Sequence, residues 1–558
     1  MIRRTERAVR IAAAVLALLT AGAVFAAGGA EKAKAAANEP VEFTVFFGDT
    51  NANWADMQDD TGKFLTEKFG ITLKAEFAVG DLVQKINLIA ASGRYPDLIM
   101  PKGEVGVLVE AGAMRDLEPL IKSHGPNIRR VAGDQIDRFR FSNQDPRIYI
   151  IPSQDSIGHI DPDMDAWFKL QLAALKELGY PKIETLADFE KVIVEYVKRH
   201  PTTPDGKPTI GLSLLADDWR FVISVTNPAF WATGGWDDGE WWIDPVTFEA
   251  KPHYFKPIER EYFRWLNHMN DIGVLDPESF IQKYDQYKAK IASGRVVGLI
   301  DAKWEIDDAQ HALRAEGKFE QTYSRFGAVL EKGIKAAYYA PTGFRGGYGI
   351  GITTSCKYPE RAMEFLDYLA SDEGQVLVNW GIEGKHFVVE NGKRVIPPAV
   401  NDMKVNDNNT FKRTTGIGNY LLSLRYGDGV KDSTGNYYTT NFPEQILATY
   451  SDAEKAALKA YGVTFWKDLL PQSDEFDPIP WAAAWSIPVP QDNPLNEFWT
   501  VEQDIVKKYI PAAILGKPAD FDKTYDAMLS ELTRVCGKYF ALQTELVRDR
   551  LKLWGVLK

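Results

Sequence analysis

PTGFRGGYGIGITTSCKYPERAMEFLDYLASDEGQVLVNWGIEGKHFVV, residues Pro341 to Val389, divides into a glycine-rich crossing segment, a strand at Tyr348–Thr354 and two consecutive helices. Pro359 suits the first turn of the first helix, where its missing N–H has no intrahelical acceptor to lose. Ala362, Phe365, Leu366 and Leu369 recur at i, i+3, i+4 and i+7, the buried stripe of a packed helix. Ser371 is placed to cap the second helix and Gly381 to end it. The stretch is one αβ unit behind a segment free to turn.

Upstream, the same alternation is repeated. Val41–Phe47, Ile71–Phe77 and the run after Gly93-Arg94-Tyr95-Pro96-Asp97 read as strands, with helices predicted over Gln58–Phe69, Asp81–Ser92 and Val105–Ala111. This β-α-β-α-β-α order builds a mostly parallel, doubly wound sheet, whose ligands sit beyond the carboxyl ends of the strands. Asp49–Trp54 and Met100–Glu104 fall at those ends. Arg147–Pro152 is a further strand, followed by helices over Asp165–Leu178 and from Thr185, where Thr185 and Asp188 make a capping pair. Gly206–Ser213 and Gly294–Asp301 are predicted strands, and Tyr262–Gly273, Phe280–Ser293, Asp452–Leu470, Asn496–Gly516 and Asp520–Leu551 predicted helices. Gly392–Phe411 and Gly416–Tyr438 are polar and rich in Asn, Gly and Asp, which reads as insertion rather than core.

The chain of 558 residues is long enough for two or three domains. A formal net charge of −12 disfavours nucleic acid or an anionic membrane surface as partner, because either would select a basic face. Arg3, Arg4, Arg7 and Arg10, the apolar run Ile11–Val24 and the small residue Ala26 make residues 1–26 a signal peptide, with cleavage expected before Ala27; residues 27–40 read as a flexible tether. No cysteine stands at that junction, so no lipid anchor is expected, and a soluble periplasmic protein follows. Cys356 and Cys536 are the two cysteines, read as buried free thiols in preference to a disulfide. Fifteen tryptophans exceed what a core requires, and Leu215–Asp244 holds Trp219, Trp231, Trp236, Trp241 and Trp242 among turn-forming residues; rings on loops suit flat, partly apolar ligands such as sugars.

Four segments carry a family resemblance: GRYPDLIM with EAGAMRDLEPLIKSHGPNI (Gly93–Ile128), LKELGYPKIETLADFEKVI before GKPTIGLS, SGRVVGLIDAKW (Ser293–Trp304), and the C-terminal helices from ILGKPADF onward. Together with Pro341–Val389 they resemble the extracellular solute-binding proteins of family 1, the substrate-binding proteins of ABC importers, in their carbohydrate-type, lipoprotein-like branch. The resemblance implies an α/β, two-lobed periplasmic binding protein of type II-like architecture, each lobe a mostly parallel sheet flanked by helices, joined by hinge crossings. It divides the chain into lobe 1 (41–150 plus 346–400) and lobe 2 (151–345 plus 401–558, with insertions), and makes Gly343–Gly349 part of the hinge. It further implies a monomer that closes on an oligosaccharide or glycan fragment and delivers it to permease subunits. HIDPDMDAWFKL stands where the family often has a basic-aromatic run. A secreted polysaccharide-acting enzyme and a peptide-binding receptor are the alternatives.

Catalytic and metal motifs are sparse. The seven histidines are scattered, without H-E-x-x-H or paired C-x-x-C, so no metal is expected. Asp161-x-Asp163-x-Asp165 begins like a calcium loop but lacks its glycine at position six and glutamate at position twelve, and reads as a polar turn and helix cap. GGYGIG leads into a strand, so no dinucleotide or other cofactor is expected, and there is no P-loop or G-x-S-x-G. Two carboxylates distant in sequence suffice for glycoside hydrolysis, so that chemistry stays open. Loop position selects the ligand-binding candidates: Asp49, Asn53 and Trp54; Trp219, Trp231 and Trp236; Trp304; Phe344 and Arg345; Glu383; Trp485 and Trp499. Trp380, on a helix face, is assigned to the core.

Overall fold

The computed structural model describes residues 39–153, 156–158, 165–338, 341–343 and 345–558. The signal peptide, most of the tether, Asp161, Asp163 and Phe344 lie outside the described residues.

The first lobe is built on a five-stranded sheet. Val41–Phe47 lies at its heart, parallel to Ile71–Phe77 on one side and to Leu98–Met100 on the other. Successive side chains of a strand point to opposite faces. Phe43, Val45 and Phe47 accordingly enter one apolar layer with Leu65 and Phe365, while Phe46 enters the other with Ile86 and Leu108. Gly349–Ile352, from the stretch that opened the sequence reading, joins the sheet antiparallel to Leu98–Met100 and pairs on its far side with Ile151–Pro152. Its two helices follow as Pro359–Ala370 and Asp372–Trp380, with Ser371 accepting from the Gly374 N–H and Gly381 closing the second at φ 81°.

The second lobe has a three-stranded sheet, with Val296–Ile300 between Phe168–Leu170, antiparallel, and Ile210–Ser213, parallel. Helix Leu186–Arg199 starts with the Thr185–Asp188 capping box, and its Leu186, Phe189, Val192 and Ile193 are buried. Helices Pro257–Asp271, Phe498–Leu515 and the 33-residue Phe521–Leu553 cover this lobe and share its core.

Three segments differ from the sequence reading. The helix expected over Asp165–Leu178 is a strand, Phe168–Leu170, followed by a short helix, Leu172–Glu177, because Phe168–Leu170 pairs with the strand ending at Ile300. The helix expected over Asp452–Leu470 stops at Tyr461, where Gly462 turns left-handed at φ 73°. The polar region after residue 400, assigned to lobe 2, is divided: Tyr420, Leu422 and Leu424 are buried in the first lobe's core, whereas Ile446 and Tyr450 join the second. Cys356 and Cys536 are free and buried, as read from the sequence.

The lobes meet at the glycine-rich crossing. A Cβ on Gly347 would collide with the Ser486 carbonyl oxygen, and one on Gly346, at φ 78°, with that of Arg138. Only glycine lets the chain pass this close. Arg550, near the end of the 33-residue helix, pins the junction. Its guanidinium donates to the carbonyls of Trp481 (3.2 Å), Ala483 (3.0 Å), Ser486 (3.2 Å) and Arg345 (2.6 Å), and to the Ser486 hydroxyl.

Candidate functional site

Phe47, Phe77 and Met100 end the three parallel strands of the first lobe, and all three line a cleft of about 440 Å³. Past these ends the backbone turns outward, and side chains following the strands point into the space that the sheet leaves open. Asp49 and Asn51 come from the first such loop, Lys102 from the third, and Ser153 and Tyr348 from the crossings; Lys412, Asn419 and Arg425 close the far wall. Trp54 forms the floor, packed against Phe47 at 5.7 Å, Phe77 at 6.1 Å and Tyr420 at 5.3 Å between ring centres. Its indole N–H is buried without a hydrogen-bond partner.

The second lobe places two tryptophans beside this cleft by the same logic. Trp219 follows strand Ile210–Ser213, and Trp304 follows Val296–Ile300. The two indoles stack at 5.8 Å and 21°, yet remain 43% and 53% exposed. Arg220 fixes this pair from behind: its guanidinium lies 4.7 Å from the Trp219 ring and 4.1 Å from that of Tyr284, and donates to Glu305 and Asp218. Lys102 connects the walls, with Nζ 2.7 Å from Asp49 Oδ1 and 5.9 Å from the centre of the Trp219 ring.

Deeper in, Tyr348 meets Trp485 edge-on at 5.3 Å, and Arg345 lies 4.8 Å from the same indole. Burial, with the charges of Glu104 and Asp49, pushes the Tyr348 hydroxyl up to about 12, so it stays a neutral donor. Burial likewise raises the Glu104 carboxyl, helped by Asp81. Asp237 and Asp238 lie just behind, where burial pushes them up to about 6 and about 7. Asp238 accepts from Trp236 Nε1 (2.9 Å), Trp481 Nε1 (3.1 Å) and the Ala484 N–H (2.8 Å), a structural knot rather than a ligand group.

Of the residues selected from the sequence, Asp49 and Trp54 line this cleft; Trp219 lies against its Lys102 with Trp304 stacked on it, and Trp485 against its Tyr348 with Arg345 over the indole. The others lie elsewhere. Trp231 is 4% exposed, inside an aromatic stack with Trp167 at 4.1 Å and Tyr338 at 5.2 Å. Trp236 is tied to Asp238, and Asn53 turns its amide onto Asn409 at 2.9 Å. Glu383 sits in an exposed turn bridged to Phe387, beside the contacts of Lys385 and His386 with Asp60. Trp499 is exposed on the first turn of helix Phe498–Leu515, while its neighbour Phe498 is buried on Trp241 at 4.1 Å. Trp380 is core, as read, its N–H donated to the Tyr437 carbonyl.

Sequence reasoning missed Tyr348, Lys412, Asn419 and Arg425, while Asn51 lay unnamed inside the flagged Asp49–Trp54 loop. Lys102 lay inside the flagged Met100–Glu104 loop without being singled out. Asp165 directs Oδ1 to the Lys169 ammonium and Oδ2 to the Lys303 N–H, both protein donors. Among the described residues no group of three or more His, Cys, Asp or Glu side chains is placed to hold a metal ion, and no helix is long and apolar enough to cross a membrane.

Comparison with known proteins places this architecture. The chain is similar to Lipoprotein LipO of Bacillus subtilis (strain 168), 20% identical over 353 residues, a match covering 61% of this chain and 65% of that one. Among solved structures it resembles an extracellular solute-binding protein from Bifidobacterium longum subsp. infantis, with TM-score 0.65 and 14% identity over 92% of this chain and 98% of that one. It also resembles the S. pneumoniae ABC-transporter substrate-binding protein FusA in complex with kestose, with TM-score 0.63 and 17% identity over 91% and 99%. These are two-lobed binding proteins, and the fold of this chain is theirs. The model of the bacterial extracellular solute-binding protein family matches residues 62–378. That span is more than half of the sequence, and on it the chain belongs to the family of bacterial extracellular solute-binding proteins.

Proposed function

We propose that the protein is the receptor of an ABC importer: it captures a carbohydrate, an oligosaccharide or glycan fragment, by closing its lobes and presents it to the permease. The observation that carries this reading is the stacked, exposed Trp219–Trp304 pair of one lobe, set against Lys102 of the polar, cationic cleft of the other. Large apolar rings left in contact with water at the mouth of a cleft are unusual unless a ligand covers them. The faces of sugar rings suit indoles, while their hydroxyls take hydrogen bonds from Asn51, Asn419 and Tyr348. The kestose complex of FusA supports the same ligand class.

Closure follows from differential affinity. A ligand touching both walls binds the closed form more tightly and draws the population toward it. The closed surface is then what a permease reads. Family and structural neighbours are binding proteins rather than enzymes, and no chemical step is assigned to the cleft. In this reading the protein acts as a monomer, freed into the periplasm after removal of residues 1–26.

Melting of the protein is to be followed against panels of oligosaccharides and peptides, with the ligand recovered and analysed afterwards. The expected result is a shift with sugars and unchanged ligand. Shortened products overturn the receptor reading, and shifts with peptides alone overturn the carbohydrate one.

A further inference from the structure

The cleft carries a charge opposite in sign to that of the chain. The protein has a formal net charge of −12, yet the ionisable acidic and basic side chains lining the cleft are Asp49, Lys102, Lys412 and Arg425, three cations to one acid. Asp49 is already engaged by Lys102, in a pair whose side chains are 71% and 31% exposed and so open to exchange with a ligand anion. Arg425 is held in the wall by donating to the Ser153 carbonyl. Lys412, on helix Asn408–Thr415, lines the cleft half-buried, and among the described residues its ammonium has neither an ion-pair nor a hydrogen-bond partner.

Among the described residues, the acids beside the tryptophan pair are already engaged. Asp218 and Glu305 are spent on Arg220 behind the tryptophan pair, and Asp217 is paired with Lys283. A concave, partly desolvated wall bearing one sign of charge focuses its field into the cleft, so three cations there repel each other and attract an anion. A neutral sugar takes hydrogen bonds from an ammonium but leaves the charge of the wall in place, whereas an anion accepts the same bonds and offsets that charge.

Resting on the carbohydrate-receptor reading, we propose that the ligand is an anionic glycan, its carboxylate or sulfate groups held by Lys102, Lys412 and Arg425 of one lobe while a sugar ring lies on Trp219 and Trp304 of the other. The anion replaces Asp49 on Lys102 and gives Lys412 the partner it lacks. Charge-assisted contacts of this kind favour association at low salt and weaken as salt rises.

The test is calorimetric titration of the full chain with three probes: a galacturonate trimer (carboxylate), a κ-carrageenan tetrasaccharide (sulfate) and maltotriose (neutral). One anionic probe is expected to bind at least about tenfold more tightly than maltotriose, with affinity falling as salt is raised; which one identifies the anion. Lys412→Met is expected to weaken that probe about tenfold and flatten its salt dependence, whereas Trp304→Ala weakens binding without flattening it. Equal or tighter binding of maltotriose, or an unchanged Lys412→Met variant, overturns the proposal while leaving a carbohydrate receptor standing. If wider sugar panels also give no binding and peptides do, the underlying reading falls with it.

Discussion

The ammonium of Lys102 lies 5.9 Å from the centre of the Trp219 ring, and the two side chains belong to opposite lobes. A cation over an exposed aromatic face contributes roughly 0.5–1 kcal/mol. Lys102→Met removes it and is expected to lower the closed-to-open ratio of the ligand-free protein about two- to fivefold. Interlobe distances by single-molecule fluorescence read this directly; an unchanged distribution would show that the contact does not weigh on closure.

Two tryptophans twelve residues apart should behave in opposite ways. Trp219→Ala leaves the fold intact, because the ring is 43% exposed, and is expected to weaken glycan binding about tenfold. Trp231→Ala empties a closed stack between Trp167 and Tyr338 and is expected to cost about 3–5 kcal/mol of stability. Urea unfolding and ligand titration of both variants separate the effects.

The contribution of Asp238 to stability should fall as pH rises between 6.5 and 8, partly offset by Lys404, which burial lowers to about 8 and which acts with the opposite sign. Burial pushes Asp238 up to about 7, so the folded state holds that proton where the unfolded chain has already released it. Such a group penalises folding progressively as pH climbs from its unfolded to its folded value, and the penalty is complete above the latter. Over this window Asp238 is worth about 1 kcal/mol. His311 and His386, both lowered by burial, act with the opposite sign as pH falls below about 6.5, which sets the lower edge of the window. Asp238→Asn should lower stability at every pH, since its NH2 would face an N–H donor, but should reduce the slope. A slope equal to that of the wild type would assign the pH dependence to other groups.

Arg550→Met strips five hydrogen bonds from the junction of the lobes. It is expected to cost about 3 kcal/mol, with Arg550→Lys recovering only part, because an ammonium lacks the planar fork that reaches several carbonyls at once. Chemical denaturation of the two variants checks the ranking.

Both thiols should resist modification. Burial raises Cys356 and Cys536 to about 11, leaving little thiolate at neutral pH. Ellman's reagent is expected to find no rapidly reacting thiol in the native protein and two in guanidinium without reductant. Fewer than two would mean that a thiol is oxidised.

Much of the fold was legible because its signals are local. The alternation of Val41–Phe47 and the caps at Thr185 and Ser371 need no distant partner to be recognised. Phe168–Leu170 was not, since WFKLQLAALKEL fits either period, and the choice is made by a strand some 130 residues later. Tyr420, Leu422 and Leu424 belong to a five-residue run, YLLSL, too short to stand out from the polar stretch around it. At the site, the strand-end rule selected Asp49, Asn53, Trp54 and Trp304, and the aromatic segment supplied Trp219 with Trp231 and Trp236; chemistry alone could not separate Trp219 from Trp231, since one ring faces water and the other Tyr338 because of contacts far apart in sequence. Lys412 carried no local mark, being a lysine in a polar helix.

The grip of Arg550 on the Arg345 carbonyl spans 205 positions, and this has a bearing on how the protein comes into being. The first lobe's sheet waits for Gly349–Ile352, its core for Leu424, and the junction for a side chain close to the far end of the last helix. Pairings this distant close slowly and late. During synthesis neither lobe can be completed from its opening segments alone: the last pieces of the first lobe's core and of the junction arrive only with Leu424 and Arg550.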